Sequence, residues 1–153
     1  MGTLYWQLND IWQGASWSSL EYGGQWKLSH YYTEQFFRPT IISPIINGDN
    51  LEVWLVCDDK SSDLMTVNLK IFHFTSFTPS FQSQLTTALC AEAGAVKIFE
   101  SELKIMLTQG DCKVGSYDDV RLEYCLLYFT LDQGGVELHS NHIMAQPKVW
   151  SMS

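Results

Sequence analysis

The 153-residue sequence contains no long apolar run, no cluster of basic residues and no cysteine pair with the spacing of zinc ligands. A membrane-spanning helix needs about 20 consecutive apolar residues, so no membrane span is expected. The formal net charge of −8 repels polyanions, and nucleic acid is therefore not expected as a partner. The start of the chain also lacks the basic and apolar regions of a secretory signal peptide.

The cysteines and histidines are too scattered to predict a metal site. Cys57, Cys90, Cys112 and Cys125 form no C-x-x-C motif, so neither a metal nor a cofactor is expected. Cys57 and Cys125 lie in apolar, strand-like runs and are expected to be buried thiols. Cys112 lies in a polar stretch, and its pairing with Cys125 in an oxidising compartment is the alternative.

Common catalytic motifs are absent as well. The sequence has no G-x-S-x-G nucleophile motif and no glycine-rich phosphate loop. Asp10 and Glu21 are acidic residues near several tryptophans, and glycosidases use pairs of carboxylates. However, Asp10 follows a predicted strand, where such side chains commonly cap turns. Glu21 precedes a predicted helix, where its negative charge interacts favourably with the helix dipole. A catalytic carboxylate pair is therefore not the preferred interpretation.

The first 38 residues, which hold four of the six tryptophans, differ in character from the rest. Thr3–Leu8 predicts a strand, Gln13–Gly24 a loop and Gln25–Phe37 an amphipathic helix. Pro39 disfavours helical geometry at Arg38 and so ends the helix. Together these elements make one βα unit, which cannot satisfy its strand edges or bury its helix by itself.

The second part predicts an antiparallel β-sandwich of immunoglobulin-like type, because short alternating apolar runs recur between turn signals. The clearest strands are Leu51–Cys57 and Met65–Ile71, with Asp58–Asp63 between them as a polar hairpin loop. Residues 146–153 carry no strand or helix signal and are expected to form a tail. Further elements are predicted as strands at 40–46, 82–89, 95–99, 122–131 and 136–144, and as a helix at Glu102–Leu107 with Ser101 as its N-cap.

Trp6 lies at the end of the predicted first strand. In a parallel barrel, the carboxyl ends of the strands build the active site. The flat apolar face of a tryptophan matches the C–H groups on one face of a pyranose ring. Trp6 is therefore a candidate sugar contact, with a place in the core as the other interpretation.

The first 39 residues resemble the β-mannosidases, in particular the lysosomal animal enzymes of glycoside hydrolase family two. The resemblance is dense there, and it continues more loosely but collinearly over residues 40–145. It implies that residues 1–39 are the C-terminal end of a (β/α)8 (TIM) barrel, followed by the β-sandwich domain at 40–145 and a tail at 146–153. The residues that carry it are Gly2–Trp12, Ser16–Tyr22, Gly24–Lys27 and His30–Tyr31.

The resemblance implies an enzyme that hydrolyses terminal non-reducing β-D-mannose residues from oligosaccharides of glycoproteins, with retention of configuration. Its two catalytic glutamates lie on earlier barrel strands, so no catalytic residue is expected in this chain, and the isolated chain should be inactive. Trp6 matches the aromatic residue that lines the mannose pocket, while Asn9 and Asp10 match its rim. These three are the expected substrate-binding residues. The expected partners are mannose-containing oligosaccharides and the remainder of the parent enzyme, and the expected location is the lysosome.

Two other functions stay open from the sequence alone. The sandwich could be a non-catalytic carbohydrate-binding or interaction module that uses Trp54, or the cluster of Trp6, Trp12 and Trp17, as a stacking platform. Alternatively, the chain has no function of its own, because its first strand and helix expose apolar surface that normally needs the rest of a barrel.

Overall fold

Seven strands and two helices make up the part of the chain that a computed structural model describes, residues 4–112 and 125–145. All pairings between these strands are antiparallel. The chain divides into two compact units, residues 1–38 and 39–153, which are described separately. Neither helix of the described residues has the length and apolarity needed to cross a membrane.

The strand predicted at Thr3–Leu8 is not formed in the first unit, since residues 4–8 have no regular secondary structure. A single parallel bridge between Asn9 and Leu20 follows them. The amide of Leu20 donates to the carbonyl of Leu8 at 2.9 Å, and the amide of Asp10 donates to the carbonyl of Leu20 at 2.9 Å. A buried parallel strand pairs along its whole length with neighbours. The described residues of this unit supply no such neighbour, and the prediction is therefore wrong for these residues.

The predicted helix is present but begins later, as α1 at Leu28–Phe36. The residues of its expected first turn are not helical, because Trp26 forms an antiparallel bridge with Leu20. The amide of Glu21 also donates to the carbonyl of Gln25 at 2.8 Å. These bonds close a tight turn that holds residues 25–26 outside the helix. The helix ends before Pro39, as the sequence predicts.

The second unit contains two antiparallel sheets. One has the strand order β1-β2-β5 and the other the order β4-β3-β6-β7. The predicted tail, residues 146–153, lies outside the described residues. The elements are β1 (Thr40–Asn47), β2 (Asn50–Cys57), β3 (Met65–His73), β4 (Phe81–Ala88), β5 (Gly94–Glu102), α2 (Leu103–Gln109), β6 (Cys125–Gln133) and β7 (Val136–Ala145).

Both sheets contribute to one apolar core. The alternation predicted for Met65–Ile71 is confirmed, since every second side chain of β3 is buried. The strand predicted at 122–131 is confirmed as β6 between β3 and β7, and its residues 122–124 lie outside the described residues. Burial of each large apolar side chain contributes about 1.5–3 kcal/mol. The fully buried core side chains are Ile42, Leu51, Val53, Leu55, Val67, Leu69, Ile71, Leu127, Phe129 and Leu131.

The loop at Asp58–Asp63 is not a hairpin, because β2 and β3 belong to different sheets. It crosses from one sheet to the other. A tight hairpin does occur between β6 and β7, where Gln133 pairs with Val136. Gly134 and Gly135 between them have φ values of 57° and 84°. Two successive positive φ values are typical of the type I′ turn, which suits the twist of a hairpin.

Helix α2 confirms the predicted short helix, but its N-cap is Glu102 rather than Ser101. The reason is that β5 extends to Glu102, so Ser101 is still part of a strand and pairs with Leu51. The side chain of Glu102 makes no capping hydrogen bond. The amide of Leu103 donates instead to the carbonyl of Asp49 at 2.9 Å.

The four cysteines form two disulfides. Cys57 at the end of β2 is bonded to Cys90, and Cys112 after α2 is bonded to Cys125 at the start of β6. Cys57 and Cys125 are buried, as expected, but they are disulfide-bonded rather than free thiols, and the alternative pairing of Cys112 with Cys125 is the one observed. The Cα atoms of the two pairs lie 5.9 Å and 6.3 Å apart, distances that a disulfide can bridge.

Candidate functional site

Asp10 is the most firmly held side chain of the predicted substrate-binding segment. Its Oδ2 accepts a hydrogen bond from Lys27 Nζ at 2.9 Å, and its Oδ1 accepts one from the Ser16 hydroxyl. Hydrogen bonds from Ser16, Ser18 and Lys27 lower the pKa of Asp10 to about 2. A carboxyl group with so low a pKa stays ionised near neutral pH and is a poor general acid. Asp10 is therefore suited to accept hydrogen bonds from a ligand.

Two serines connect this carboxylate to the rest of the first unit. Lys27 Nζ also donates to Ser18 Oγ at 3.0 Å, and Ser18 Oγ donates to the carbonyl of Leu20 at 2.9 Å. The amide of Ser18 donates to Ser16 Oγ at 3.0 Å. Sequence reasoning did not identify these partners of Asp10. Serines in a loop form no motif, and Lys27 lies within the stretch that was predicted as helix.

Ser19 forms a second polar contact, with the helix. Its hydroxyl lies 2.8 Å from His30 Nδ1, and hydrogen bonding by Ser19 and Thr33 lowers the pKa of the Tyr5 phenol. A serine beside a histidine is the arrangement of many nucleophilic enzymes. Ser19 is 0% exposed, however, so a substrate cannot reach it. The Ser19 hydroxyl also lies 3.3 Å from the carbonyl oxygen of Leu8, so this side chain links residue 8 to His30 of α1.

Trp6 and Asn9, the other expected substrate-binding residues, are both exposed. Trp6 is 79% exposed, so its ring is open to a ligand. Asn9 Nδ2 donates to the carbonyl of Asp10 at 3.3 Å, and Gln7 Nε2 donates to the carbonyl of Asn9 at 3.0 Å. The structure thus places Asn9 beside Asp10 on a short, internally bonded segment.

A cavity of about 340 Å³ lies next to Asp10 in the first unit. It brings together Asp10 and Glu21, the two carboxylates considered from the sequence as a catalytic pair. The low pKa of Asp10 excludes Asp10 as the general acid of such a pair, and its two carboxylate oxygens are already engaged by Ser16 and Lys27. Trp6 and Asn9 are not among the lining residues. The cavity is lined by Asp10, Gln13, Gly14, Glu21, Tyr22 and Lys27.

The first unit buries hydroxyl groups and exposes aromatic rings, which reverses the usual pattern. Its buried side chains, among the residues described, are Ser18, Ser19 and Thr33. Large exposed apolar surfaces usually mark a place where another protein surface packs. The exposed large apolar residues are Leu4, Trp6, Leu8, Ile11, Trp12, Trp17, Tyr22, Trp26, Leu28, Tyr31, Tyr32, Phe36 and Phe37.

Trp54, the alternative platform in the sandwich, is engaged by its own sheet. Its indole N–H donates to Glu52 Oε2 at 2.9 Å, and Lys97 Nζ lies over the ring, 6.0 Å from its centroid. Hydrogen bonds from Trp54, Asn47 and Lys97 lower the pKa of Glu52. A stacking platform needs an open ring face, so this arrangement does not favour Trp54 as a sugar-binding residue.

Comparison with known proteins shows similarity to β-mannosidases. The chain is 41% identical over 102 residues to the β-mannosidase of Capra hircus, which is 67% of this chain and 12% of the goat protein. It is 36% identical over 124 residues to the β-mannosidase of Mus musculus, which is 76% of this chain and 14% of the mouse protein. No protein-family model matches the chain.

The fold is similar to that of a solved β-D-mannosidase from Dictyoglomus thermophilum. The TM-score is 0.67 at 21% sequence identity, and the match covers 93% of this chain and 16% of the solved chain. The chain therefore spans less than a fifth of the length of each relative described. Together, the comparisons confirm the resemblance to β-mannosidases that the sequence predicted.

Proposed function

We propose that this chain, a homologue of β-mannosidases, is part of an enzyme that hydrolyses terminal non-reducing β-D-mannose residues from glycoprotein oligosaccharides with retention of configuration. Residues 1–39 contribute the last βα unit of a (β/α)8 barrel, and residues 40–145 form an immunoglobulin-like sandwich that follows it. The parent enzyme acts in the lysosome. Its partners are mannose-containing oligosaccharides.

The observation that carries the proposal is the exposed aromatic surface of the first unit. A helix with exposed Tyr31, Tyr32 and Phe36 is suited to pack against neighbouring barrel elements. Residues 4–8 form no strand with the described residues of the first unit, so in this proposal their hydrogen-bond partners come from the remainder of the barrel. The strand order β1-β2-β5 and β4-β3-β6-β7 supports the sandwich assignment.

The roles of the three substrate-binding residues follow from their chemistry. The exposed ring of Trp6 forms one wall of the mannose pocket by stacking on a sugar face. A carboxylate has about four lone-pair sites, so Asp10 can accept hydrogen bonds from sugar hydroxyls in addition to those from Ser16 and Lys27. Asn9 offers an exposed amide beside it.

A retaining glycosidase needs two carboxyl groups about 5–5.5 Å apart. In this proposal both catalytic glutamates lie in the remainder of the parent enzyme, so the isolated chain is inactive. The chain should release no nitrophenol from 4-nitrophenyl β-D-mannopyranoside above the buffer background. Turnover that disappears in Asp10→Asn or Glu21→Gln would place a catalytic pair in this chain and would contradict the proposal.

The positive test uses a chimeric enzyme. The segment of the Capra hircus β-mannosidase that aligns with this chain is replaced by the chain itself. The chimera should hydrolyse the β-mannoside and leave the α-mannoside intact. A correctly folded chimera without β-mannosidase activity would show that the chain does not complete the site.

A further inference from the structure

We propose that reduction of the Cys112–Cys125 disulfide creates a zinc site formed by the two sulfur atoms and His73. One ligand atom from each of these residues lies within 4.8 Å of the other two. The residues come from three different places in the second unit: the end of β3, the segment after α2 and the start of β6. Both cysteines are buried and His73 is half-buried, so the site is largely shielded from water.

The hydrogen bonds of His73 orient its ring for metal binding. His73 Nε2 lies 3.0 Å from the carbonyl oxygen of Gly110, which also accepts a hydrogen bond from Ser80 Oγ at 2.6 Å. A carbonyl oxygen only accepts, so Nε2 is the donor of this hydrogen bond and Nδ1 is the ring nitrogen on the side of the sulfur atoms. Nδ1 lies 3.9 Å from Cys125 Sγ. An imidazole N–H bonded to a backbone carbonyl is the usual outer-shell support of a zinc-binding histidine.

The backbone at Gly110, whose carbonyl contacts His73, packs so closely against β3 that the position has no room for a side chain. A Cβ atom at Gly110 would lie 2.7 Å from Ile71 Cγ2. Ile71 belongs to the same strand as His73 and is fully buried in the core. The support of the histidine is therefore built into the packing of the sandwich.

The distances suit a tetrahedral zinc ion once the disulfide opens. Zinc binds sulfur at about 2.3 Å and histidine nitrogen at about 2.0–2.1 Å. Tetrahedral angles then separate sulfur from nitrogen by about 3.6 Å and the two sulfurs by about 3.8 Å. His73 Nδ1 and Cys125 Sγ, at 3.9 Å, are already close to that separation. Side-chain rotation at Cys112 and Cys125 supplies the remaining change, and water completes the fourth position.

The chemistry balances with a phosphine as the reductant. The phosphine gives two electrons to the Cys112–Cys125 bond and is oxidised to the phosphine oxide, whose oxygen comes from water. The two hydrogens of that water convert both sulfurs to thiols. Zinc(II) then binds the two sulfurs as thiolates and releases their two protons, while His73 binds as the neutral imidazole.

The second disulfide gives an internal control. Cys57 and Cys90 belong to no group of three or more metal-ligating side chains among the described residues. A Cys57→Ser, Cys90→Ser double variant therefore keeps the proposed site and removes the other thiols. His142, exposed on β7, gives the matched histidine control through His142→Ala.

The experiment measures zinc affinity by competition with a chromogenic chelator, in the double variant, before and after treatment with the phosphine. The reduced chain should bind one zinc and the oxidised chain none. Loss of an outer-shell partner costs about 10–100-fold in metal affinity, so loss of the ligand in His73→Ala should cost at least about 100-fold. His142→Ala should bind as tightly as its parent.

Two further measurements keep the result decisive if a variant folds poorly. Cobalt(II) in place of zinc should give the visible absorption of a tetrahedral thiolate site, altered in His73→Ala. One equivalent of zinc should raise the thermal midpoint of the reduced chain but not that of reduced His73→Ala. Equal zinc binding with and without His73, or loss of the native circular dichroism spectrum on reduction that zinc does not restore, would overturn the proposal.

Discussion

Lys27 Nζ lies 2.9 Å from Asp10 Oδ2, and this ion pair ties the start of helix α1 to the segment that carries Trp6. The Asp10 side chain is only 6% exposed. A charge so well covered depends on its partners more than an exposed charge does. The first unit is thus organised by a polar cluster rather than by an apolar core.

Removing the cation should raise the pKa of Asp10. In Lys27→Met the Asp10 carboxylate keeps the hydrogen bond from Ser16 but loses its ionic partner. The pKa of Asp10 should therefore rise from about 2 towards the ordinary value. The Asp10 carboxyl signal in an NMR titration reports this directly. Arg38→Met is the control, because the Arg38–Glu34 pair on α1 is more exposed and such pairs contribute little. An unchanged Asp10 pKa in Lys27→Met would contradict the assigned role of the pair.

The low pKa of Asp10 also predicts acid sensitivity of the first unit. The folded-state pKa is depressed, so its stabilising contribution is complete above the ordinary value of 3.8 and is lost as the pH falls to about 2. Four of the six tryptophans lie in this unit, so tryptophan fluorescence reports its unfolding. The wild type should lose stability between pH 4 and pH 2 more steeply than Asp10→Asn. Equal slopes would show that Asp10 is not linked to folding.

His139 should be needed for the attachment of β1 to β7. The buried amide of Ile42 donates to His139 Nδ1 at 3.3 Å, and Asn141 Nδ2 donates to the carbonyl of Ile42 at 3.1 Å. His139→Ala leaves that amide without this acceptor, which costs about 1–3 kcal/mol. Urea denaturation measures the loss. His142→Ala, on the same strand but exposed, should change the free energy of unfolding by less than about 0.5 kcal/mol.

The two disulfides should differ in their contribution to stability. The sequence separation is 33 residues for Cys57–Cys90 and 13 residues for Cys112–Cys125. In the chain-entropy model the first stabilises by about 3.7 kcal/mol and the second by about 2.9 kcal/mol. Paired serine substitutions, followed by denaturation without reductant, should reproduce this order. The reverse order would show that packing at the cysteines outweighs loop closure.

The sandwich was largely predictable from the sequence because its strands alternate. Burial on every second residue, as in Met65–Ile71, identifies a strand without knowledge of its neighbours. The assignment of each strand to one of the two sheets was not predictable in the same way. Asp58–Asp63 has the composition of a hairpin loop, and only the assignment of β2 and β3 to different sheets shows that it is a crossover.

The candidate site was less predictable, because its contacts join residues far apart in the sequence. Trp6, Asn9 and Asp10 were named from the resemblance, and their sugar contacts stay predictions. Lys27, 17 positions after Asp10, was not expected as its partner. The strand expected at Thr3–Leu8 depends on neighbouring strands, and local propensity cannot supply those.

The most direct test of the proposed function compares two tryptophans in the chimeric β-mannosidase. Trp6 is 79% exposed and Trp17 is 83% exposed, so Trp17→Ala is a matched control for Trp6→Ala. Full burial of an aromatic side chain against a ligand is worth about 1.5–3 kcal/mol, which is about 10- to 150-fold in kcat/KM. Trp6→Ala should lower kcat/KM for the β-mannoside by that amount, and Trp17→Ala should leave it within about twofold. An equal kcat/KM in the chimera and its Trp6→Ala variant would contradict the assignment of Trp6 to the mannose pocket.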